Sequence, residues 1–150
     1  MRHYKKVGMD IHDFAQKIAI HINDTHPALC VAELMRILVD EEGLEWNEAW
    51  AITKNTIAYT NHTIMPEALE KWPIDMFKPL LPRIYMIIDE INRRWLIDVR
   101  DRYPNNEQKV HKLSIIQDGM VHMARLSIVG WHSVHGGAKI HPALLKSTTQ

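Results

Sequence analysis

Residues 17–27 read KIAIHINDTHP and residues 57–63 read IAYTNHT, and these two stretches decide the fold. Each begins with apolar residues rich in β-branched side chains, which predicts short buried strands over 17–22 and 57–60. Each strand then runs into a polar tripeptide that is followed by helical sequence. This β-α-β-α order predicts an α/β fold in which the two strands pair in parallel.

The segments that follow the two strands predict helices. Asp24 or Thr25 can cap a helix whose first turn holds Pro27, where no backbone hydrogen bond is lost. Five apolar residues of this helix share one face: Ala28, Val31, Leu34, Met35 and Leu38. Asn47 is expected to cap a second helix that runs to residue 56. Pro66 is expected to open a short turn or helix that runs to residue 71.

The clearest helix of the chain covers residues 82–102. Its apolar side chains recur at a spacing of about 3.6 residues, at Ile84, Ile87, Ile88, Ile91, Trp95 and Val99. We interpret its charged face as solvated, with weak pairs such as Glu90 with Arg94.

The sequence of the last third of the chain predicts a helix, then a strand, and then a final helix. Residues 121–125 are expected to be helical and residues 126–129 to form a third strand. Gly136 and Gly137 predict a turn, and another helix is expected to begin at residue 140.

Composition excludes several classes of protein. The 18 Lys and Arg residues balance 18 Asp and Glu residues, so no basic excess points to nucleic acid or to an anionic membrane. Cys30 is the one cysteine among 150 residues and cannot form an internal disulfide, which favours a cytoplasmic location. The first ten residues do not resemble a signal peptide, and no apolar run approaches about 18 residues. Secretion and membrane spanning are therefore not expected.

The usual catalytic and metal-binding motifs are absent from the sequence. There is no G-x-S-x-G, no P-loop, no G-x-G-x-x-G and no H-E-x-x-H. His132 and His135 are three residues apart, and Asp118 lies upstream, but no third ligand stands at a recognised spacing. We therefore expect no metal site.

Polar side chains follow both predicted strands at their carboxyl ends, where parallel α/β sheets bind ligands. If the two strands pair, the polar residues that follow the first strand would lie close to those that follow the second strand. These residues are Asn23, Asp24 and His26 after the first strand, and Asn61, His62 and Thr63 after the second. Carboxylate, imidazole, amide and hydroxyl groups together suit a sugar, because each sugar hydroxyl both donates and accepts hydrogen bonds. The alternative is that Asp24 and Thr25 merely cap a helix and Asn61 a turn.

Three long runs of this sequence resemble the α-glucan phosphorylases, the family of glycogen and maltodextrin phosphorylases. They are HINDTHPALCVAELMRILVDEEGLEWNEAWAIT, AYTNHTIMPEALEKWPIDMFKPLLPRIYMIIDEINRR and LSIVGWHSVHGGAKIHPALL. The resemblance implies a glycosyltransferase with two Rossmann-like lobes (the glycosyltransferase-B architecture). Such enzymes use orthophosphate to cleave the terminal α-1,4-linked glucose of a glucan, releasing glucose 1-phosphate, and they require pyridoxal phosphate.

The resemblance also implies which part of such an enzyme this sequence covers. Residues 1–150 match a single partial domain, the C-terminal portion of the N-terminal lobe, and form a helix-rich α/β fragment with a few short parallel strands. The lysine that holds the cofactor and the basic groups that hold the substrate phosphate belong to the catalytic C-terminal lobe, and no matching motif occurs here. We therefore expect residues 1–150 alone to be inactive.

Six residues match positions of the family's glucose site. The resemblance implies that the main-chain carbonyl of His62 faces the anomeric carbon, where it stabilises developing positive charge, and that its side chain binds the glucose 6-hydroxyl. Asp24, His26 and Thr63 would line the glucose pocket. Glu67 and Glu70 would surround a side pocket, although these two glutamates by themselves favour a solvated helix face. The chain departs from the family pattern at Trp131 and His135.

The resemblance implies three partners: the glucan with orthophosphate, the remainder of the phosphorylase chain, and a second copy in a homodimer. An alternative function is a stand-alone, non-catalytic carbohydrate-binding or interaction module. A module of that kind would unfold cooperatively as a monomer, whereas a cut lobe would expose strand edges and associate.

Overall fold

The computed structural model describes residues 1–60, 62 and 70–132, without the side chains of Arg2 and His132. Its elements in chain order are α1 (Arg2–Lys6), a 3₁₀ turn (Ile11–Asp13), α2 (Phe14–Lys17), β1 (Ile20–Asn23), α3 (Cys30–Arg36), a π-helical turn (Ile37–Glu41), α4 (Trp46–Thr56), β2 (Ile57–Thr60), β3 (Lys71–Pro73), α5 (Ile74–Leu80), α6 (Pro82–Arg102), α7 (Glu107–Leu113), β4 (Ile116–Gln117), β5 (Met120–His122) and α8 (Met123–His132). The described part is helix-rich with two small sheets, so the predicted α/β class is confirmed.

The two predicted strands pair in parallel, as expected. Ile20 of β1 stands opposite Ile57 of β2, and Asn23 stands opposite Thr60. The second strand covers the predicted residues, whereas the first begins three residues later than predicted. Residues before it close a helical turn, in which the Ile18 amide donates to the Phe14 carbonyl at 2.9 Å. Because Phe14 is buried, this turn is held in the core.

The helix after β1 begins later than its capping residues predicted. Residues 25–29 form a turn, in which the Ala28 amide donates to the Thr25 carbonyl at 3.0 Å, and α3 starts at Cys30. The prediction that Asp24 or Thr25 caps this helix is therefore wrong. The predicted apolar face is correct, since all five of its residues are buried.

Asn47 does not cap the second helix. α4 starts one residue earlier, at Trp46, and Glu45 occupies the cap position. The Asn47 side-chain oxygen instead accepts a hydrogen bond from Arg94 of α6 at 3.0 Å.

Helix α6 has the bounds that its periodicity predicted, Pro82–Arg102. The predicted apolar face is buried apart from Trp95, which is half-buried and donates its indole N–H to the Leu113 carbonyl at 3.0 Å. On the charged face Glu90 accepts hydrogen bonds from Arg93 and Arg94, which lower the pKa of the Glu90 carboxyl to about 2. No helix of the described residues is long and apolar enough to cross a membrane.

The prediction of a third strand over residues 126–129 is wrong, because these residues lie in α8. The helix predicted over 121–125 is also displaced, since its first two residues belong to strand β5. That strand pairs antiparallel with β3 and β4 in a second sheet that the sequence did not predict. The four residues Leu126-Ser-Ile-Val129 are too few for their periodicity to distinguish a buried strand from a buried helix.

Helix α8 packs against α3, α4 and β2, which explains why residues 126–130 are buried without a solvent-facing side. Gly130 makes the close contact with α3 possible. A Cβ built on it would lie 2.7 Å from Cγ1 of Val31. The turn at Gly136 and Gly137 and the helix after residue 140 lie outside the described residues.

Candidate functional site

The carboxyl ends of β1 and β2 bring together residues that are far apart in the sequence. Asn23 is the register partner of Thr60, and the Asp24 amide donates to the Thr60 carbonyl at 2.8 Å, which extends the pairing by one residue. Just beyond, His62 Nε2 lies 2.6 Å from Asn23 Oδ1. The predicted proximity of His62 to Asn23 is confirmed, whereas Asn61 and Thr63 lie outside the described residues.

The contact with Asn23 fixes the tautomer of neutral His62. A carboxamide oxygen can only accept, so the imidazole proton lies on Nε2. Nδ1 then carries the lone pair and is the acceptor that the ring can offer to a ligand hydroxyl. The imidazole is exposed, so a ligand can reach it.

Asp24 stands in a backbone conformation that few residue types adopt. Its φ is 66°, in the left-handed region that aspartate and asparagine tolerate better than most residues. Its Oδ1 accepts the backbone N–H of Thr25 at 2.8 Å. This local bond turns the chain sharply after β1 and holds a half-buried carboxylate at the strand ends.

Glu70 connects the turn after β1 to the second sheet. Its Oε2 accepts the hydroxyl of buried Thr25 at 3.1 Å, and its Oε1 accepts the indole N–H of Trp72 at 2.8 Å. Its main-chain carbonyl accepts the Met123 amide at 3.1 Å, where α8 begins. Glu70 is not helical and its side chain is only 28% exposed, so the alternative of a solvated helix face is wrong for this residue.

His26 lies at the edge of the same group. Its Nδ1 is 4.0 Å from Glu70 Oε2, and its side chain is 83% exposed, so an ion pair between them contributes little to stability. The imidazole is therefore free to turn toward a ligand. Of the remaining predicted site residues, Thr63 and Glu67 lie outside the described residues. The short helix predicted to run to residue 71 is wrong at its end, because Lys71 begins β3.

Two residues of this region were not predicted. Tyr59 lies in β2 beneath the strand ends, and burial, then the negative charge of Asp24, raise the pKa of its hydroxyl to about 12. Trp72 lies in β3 and donates its indole N–H to the Glu70 carboxylate. The alternation of β2 places Tyr59 on the buried side, and that position could have revealed it. No sequence signal marked Trp72, because its role depends on the unpredicted antiparallel sheet.

The strand-end residues suit a sugar better than an anion. Asp24 and Glu70 bring two carboxylates, and Asn23, His26 and His62 add amide and imidazole groups that supply hydrogen-bond donors and acceptors. Two carboxylates repel a phosphate, so these residues do not fit pyridoxal phosphate or orthophosphate. Lys54 lies in α4, close to the amino end of β2, and thus at the opposite end of the strand from the site. Within the described residues no group of three or more metal-ligating side chains occurs.

Of the two departures from the family pattern, only Trp131 lies within the described residues. Trp131 of α8 is half-buried and packs against the core. His135 lies beyond the described residues.

The sequence matches the carbohydrate phosphorylase family over residues 1–150. It is 55% identical to the glycogen phosphorylase of Bacillus subtilis (strain 168) over 146 residues, which is 97% of this chain and 18% of that protein. It is 48% identical to the glycogen phosphorylase of Chlamydia pneumoniae over 151 residues, 99% of this chain and 18% of that protein. The muscle form of glycogen phosphorylase from Ovis aries is 50% identical over 138 residues, 90% of this chain and 16% of that protein. The chain thus spans less than a fifth of the length of these relatives.

Proposed function

This chain belongs to the carbohydrate phosphorylase family, and on that premise we propose that the full-length protein is a glycogen or maltodextrin phosphorylase. It cleaves the terminal α-1,4-linked glucose of a glucan with orthophosphate and releases glucose 1-phosphate. The observation that carries this proposal is the contact between His62 and Asn23 beside Asp24, where polar groups suited to sugar hydroxyls meet. A stand-alone carbohydrate-binding module is not favoured, because the similar relatives are glycogen phosphorylases.

In this proposal the strand-end residues bind the terminal glucose. The His62 side chain binds the 6-hydroxyl, and its main-chain carbonyl faces the anomeric carbon. A fixed carbonyl dipole stabilises the positive charge that develops there as the glycosidic bond breaks, and it needs no reorganisation during the reaction. Asp24, His26 and Thr63 line the pocket and form hydrogen bonds with the other hydroxyls of the glucose.

Glu67 and Glu70 form the wall of a side pocket next to this glucose. The support for Glu70 is its geometry, since Thr25 and Trp72 hold both of its carboxylate oxygens. Held in this way, Glu70 acts mainly by fixing the turn that carries Asp24. Because the strand ends offer no fit for an anion, we place pyridoxal phosphate and orthophosphate on residues outside 1–150.

We further propose that residues 1–150 are the C-terminal portion of an N-terminal lobe in a cytoplasmic homodimer. Support for a larger lobe comes from the sheet of β1 and β2. His21, Asn23 and Ala58 on its outer side are exposed, whereas parallel sheets are usually covered on both faces. Further chain packed on this side would complete the sheet.

The experiment that tests the function compares two proteins in one assay with maltoheptaose and orthophosphate. The full-length protein is expected to form glucose 1-phosphate, and residues 1–150 alone are expected to form none. Absence of glucose 1-phosphate with the full-length holoenzyme would refute the proposed activity. Product from residues 1–150 alone would refute the assignment of the cofactor and phosphate sites elsewhere.

Variants of the full-length protein test the residue assignments. Asp24→Asn and His62→Ala are expected to lower kcat by weakening contacts that tighten in the transition state. His62→Ala should keep part of the activity, because the main-chain carbonyl remains. His3→Ala, an exposed histidine of α1, is the matched control and should leave kcat unchanged. Unchanged kinetic constants for both site variants would contradict the assignment.

A further inference from the structure

Tyr59 has a buried hydroxyl that the fold leaves without a hydrogen bond. The residue is 6% exposed, and its hydroxyl oxygen has no hydrogen-bond partner in the part of the chain that the structure describes. It stands opposite fully buried Ile22 in the register of the parallel pair, one residue before Asn23 and Thr60. A buried tyrosine hydroxyl usually has a partner, because leaving one unsatisfied lowers stability. Phenylalanine would fill the same space without that cost, so the hydroxyl itself requires an explanation.

The charge that acts on this hydroxyl belongs to the strand-end site. Asp24 follows β1 directly, and its negative charge adds to burial in raising the pKa of Tyr59 to about 12. The hydroxyl therefore keeps its proton and can act only as a neutral donor or acceptor near a carboxylate. One oxygen of Asp24 already accepts the Thr25 amide at 2.8 Å. A carboxylate has lone pairs for several donors, so a second donor can be accommodated.

We propose that Tyr59 is a positioning residue of the glucose site, whose hydroxyl donates a hydrogen bond to the Asp24 carboxylate when a sugar is bound. Bound sugar excludes bulk water from Asp24, and a charge-assisted bond to the carboxylate then becomes stronger. Donors from Thr25 on one side and from Tyr59 on the other fix the direction in which Asp24 offers its lone pairs to a sugar hydroxyl. Burying an unsatisfied hydroxyl lowers the stability of the sugar-free protein. The hydrogen bond that forms when sugar binds removes this cost and therefore increases the affinity for sugar. This inference rests on the proposed function, because it needs the strand ends to bind glucose.

The test measures glucose affinity and thermal stability in the full-length holoenzyme. We expect Tyr59→Phe to weaken glucose binding, measured by calorimetry, by about tenfold, which corresponds to about 1.4 kcal/mol. Its thermal midpoint should be unchanged or higher, because the variant removes an unsatisfied polar atom. Tyr85→Phe, at a half-buried tyrosine of α6, is the matched control and should bind glucose like the wild type.

A double-mutant cycle with Asp24→Gly separates a positioning role from a structural one. Glycine adopts the left-handed φ of 66° without strain, so this variant removes the carboxylate and keeps the turn. If Tyr59 acts through Asp24, the double variant should bind glucose no more weakly than Asp24→Gly alone. Additive losses would overturn the inference. So would Tyr59→Phe binding within twofold of the wild type, or a fall in its thermal midpoint that accompanies the loss of binding.

The outcomes for this inference and for the proposed function can be told apart. A wild-type protein that forms glucose 1-phosphate while Tyr59→Phe binds glucose normally refutes only the role of Tyr59. A wild-type protein that binds glucose through coupled Tyr59 and Asp24, but forms no glucose 1-phosphate, refutes only the phosphorylase activity. A wild-type protein that does not bind glucose refutes the role of Tyr59 at this site.

Discussion

Replacing Glu70 with alanine should destabilise this chain through the two donors that its carboxylate satisfies. The hydroxyl of Thr25, at 3.1 Å, and the indole N–H of Trp72, at 2.8 Å, both lose their acceptor. Thr25 is only 4% exposed, so its hydroxyl cannot turn to bulk water. Trp72 is half-buried, and water can reach its indole more easily.

The size of the loss follows from these two bonds. A hydrogen bond to a charged group contributes about 1.5–3 kcal/mol. The Glu70 side chain is 28% exposed, which lowers the value because water can enter the space left by the carboxylate. We therefore expect Glu70→Ala to reduce the free energy of unfolding by about 2–3 kcal/mol. For a domain of this size the thermal midpoint should fall by about 4–12 °C.

Glu70→Gln is the matched control, because the carboxamide keeps the shape of the carboxylate. Its oxygen can accept the indole N–H of Trp72 while its NH₂ donates to the Thr25 hydroxyl. The free energy of unfolding in urea, monitored by tryptophan fluorescence, should therefore differ by no more than about 1 kcal/mol between Glu70→Gln and the parent chain. The reasoning is refuted if Glu70→Ala unfolds within about 0.5 kcal/mol of the parent. It is also refuted if glutamine costs as much as alanine, since the charge and not the two bonds would then matter.

Three further predictions concern packing, pH and a buried amide. Gly130→Ala should cost about 1–2 kcal/mol of unfolding free energy, because its Cβ would lie 2.7 Å from Val31; Val31→Ala should relieve this clash, so the two losses should be less than additive in urea. Burial and the charge of Arg125 lower the pKa of half-buried His122 to about 4 in the folded protein. In the unfolded protein the same histidine has its ordinary pKa of about 6.5, so the unfolded state binds a proton first as the pH falls. Because the imidazole is only half-buried, solvent screening reduces the effect, and the free energy of unfolding should drop by about 1–2 kcal/mol between pH 6.5 and 4. His122→Gln should flatten that slope in thermal scans. Asn92→Ala removes the acceptor of the buried Ile115 amide at 2.8 Å and should cost about 2–4 kcal/mol by urea unfolding.

Each of these predictions has an outcome that would contradict it. Additive losses for the Gly130 and Val31 variants would mean that the two residues do not clash. An unchanged slope between pH 6.5 and 4 in the His122 variant would show that other groups cause the acid sensitivity. An Asn92 variant as stable as the parent chain would mean that the Ile115 amide finds another acceptor.

Local patterns predicted the elements whose structure depends on near neighbours. Helix α6 has the predicted bounds because its apolar spacing repeats over about four turns and Tyr103-Pro104 ends it. The strand Ile57–Thr60 and its parallel partner were predicted because apolar runs and polar ends alternate with helical sequence. The proximity of His62 to Asn23 followed from that pairing alone, since the carboxyl ends of paired parallel strands meet at one edge.

Long-range packing decided the elements that the sequence left ambiguous. Residues 126–129 form a helix because α8 fits against Val31 of α3 at Gly130, which leaves the run buried on every side. The start of α3 was missed because Asp24 bonds to the Thr25 amide in a turn of its own rather than capping the helix.

By itself, the sequence determined the α/β class, the parallel pair, the helix Pro82–Arg102 and the family, because strong periodicity and long motifs are local properties of the chain. Only the tertiary structure decided how Glu70 is held by Thr25 and Trp72, and that the Tyr59 hydroxyl is buried without a partner. Those features join residues that lie 45 positions apart in the chain or depend on which side chains surround one atom. Hydrogen-bond satisfaction is a property of the packed interior, and the order of residues alone does not specify it.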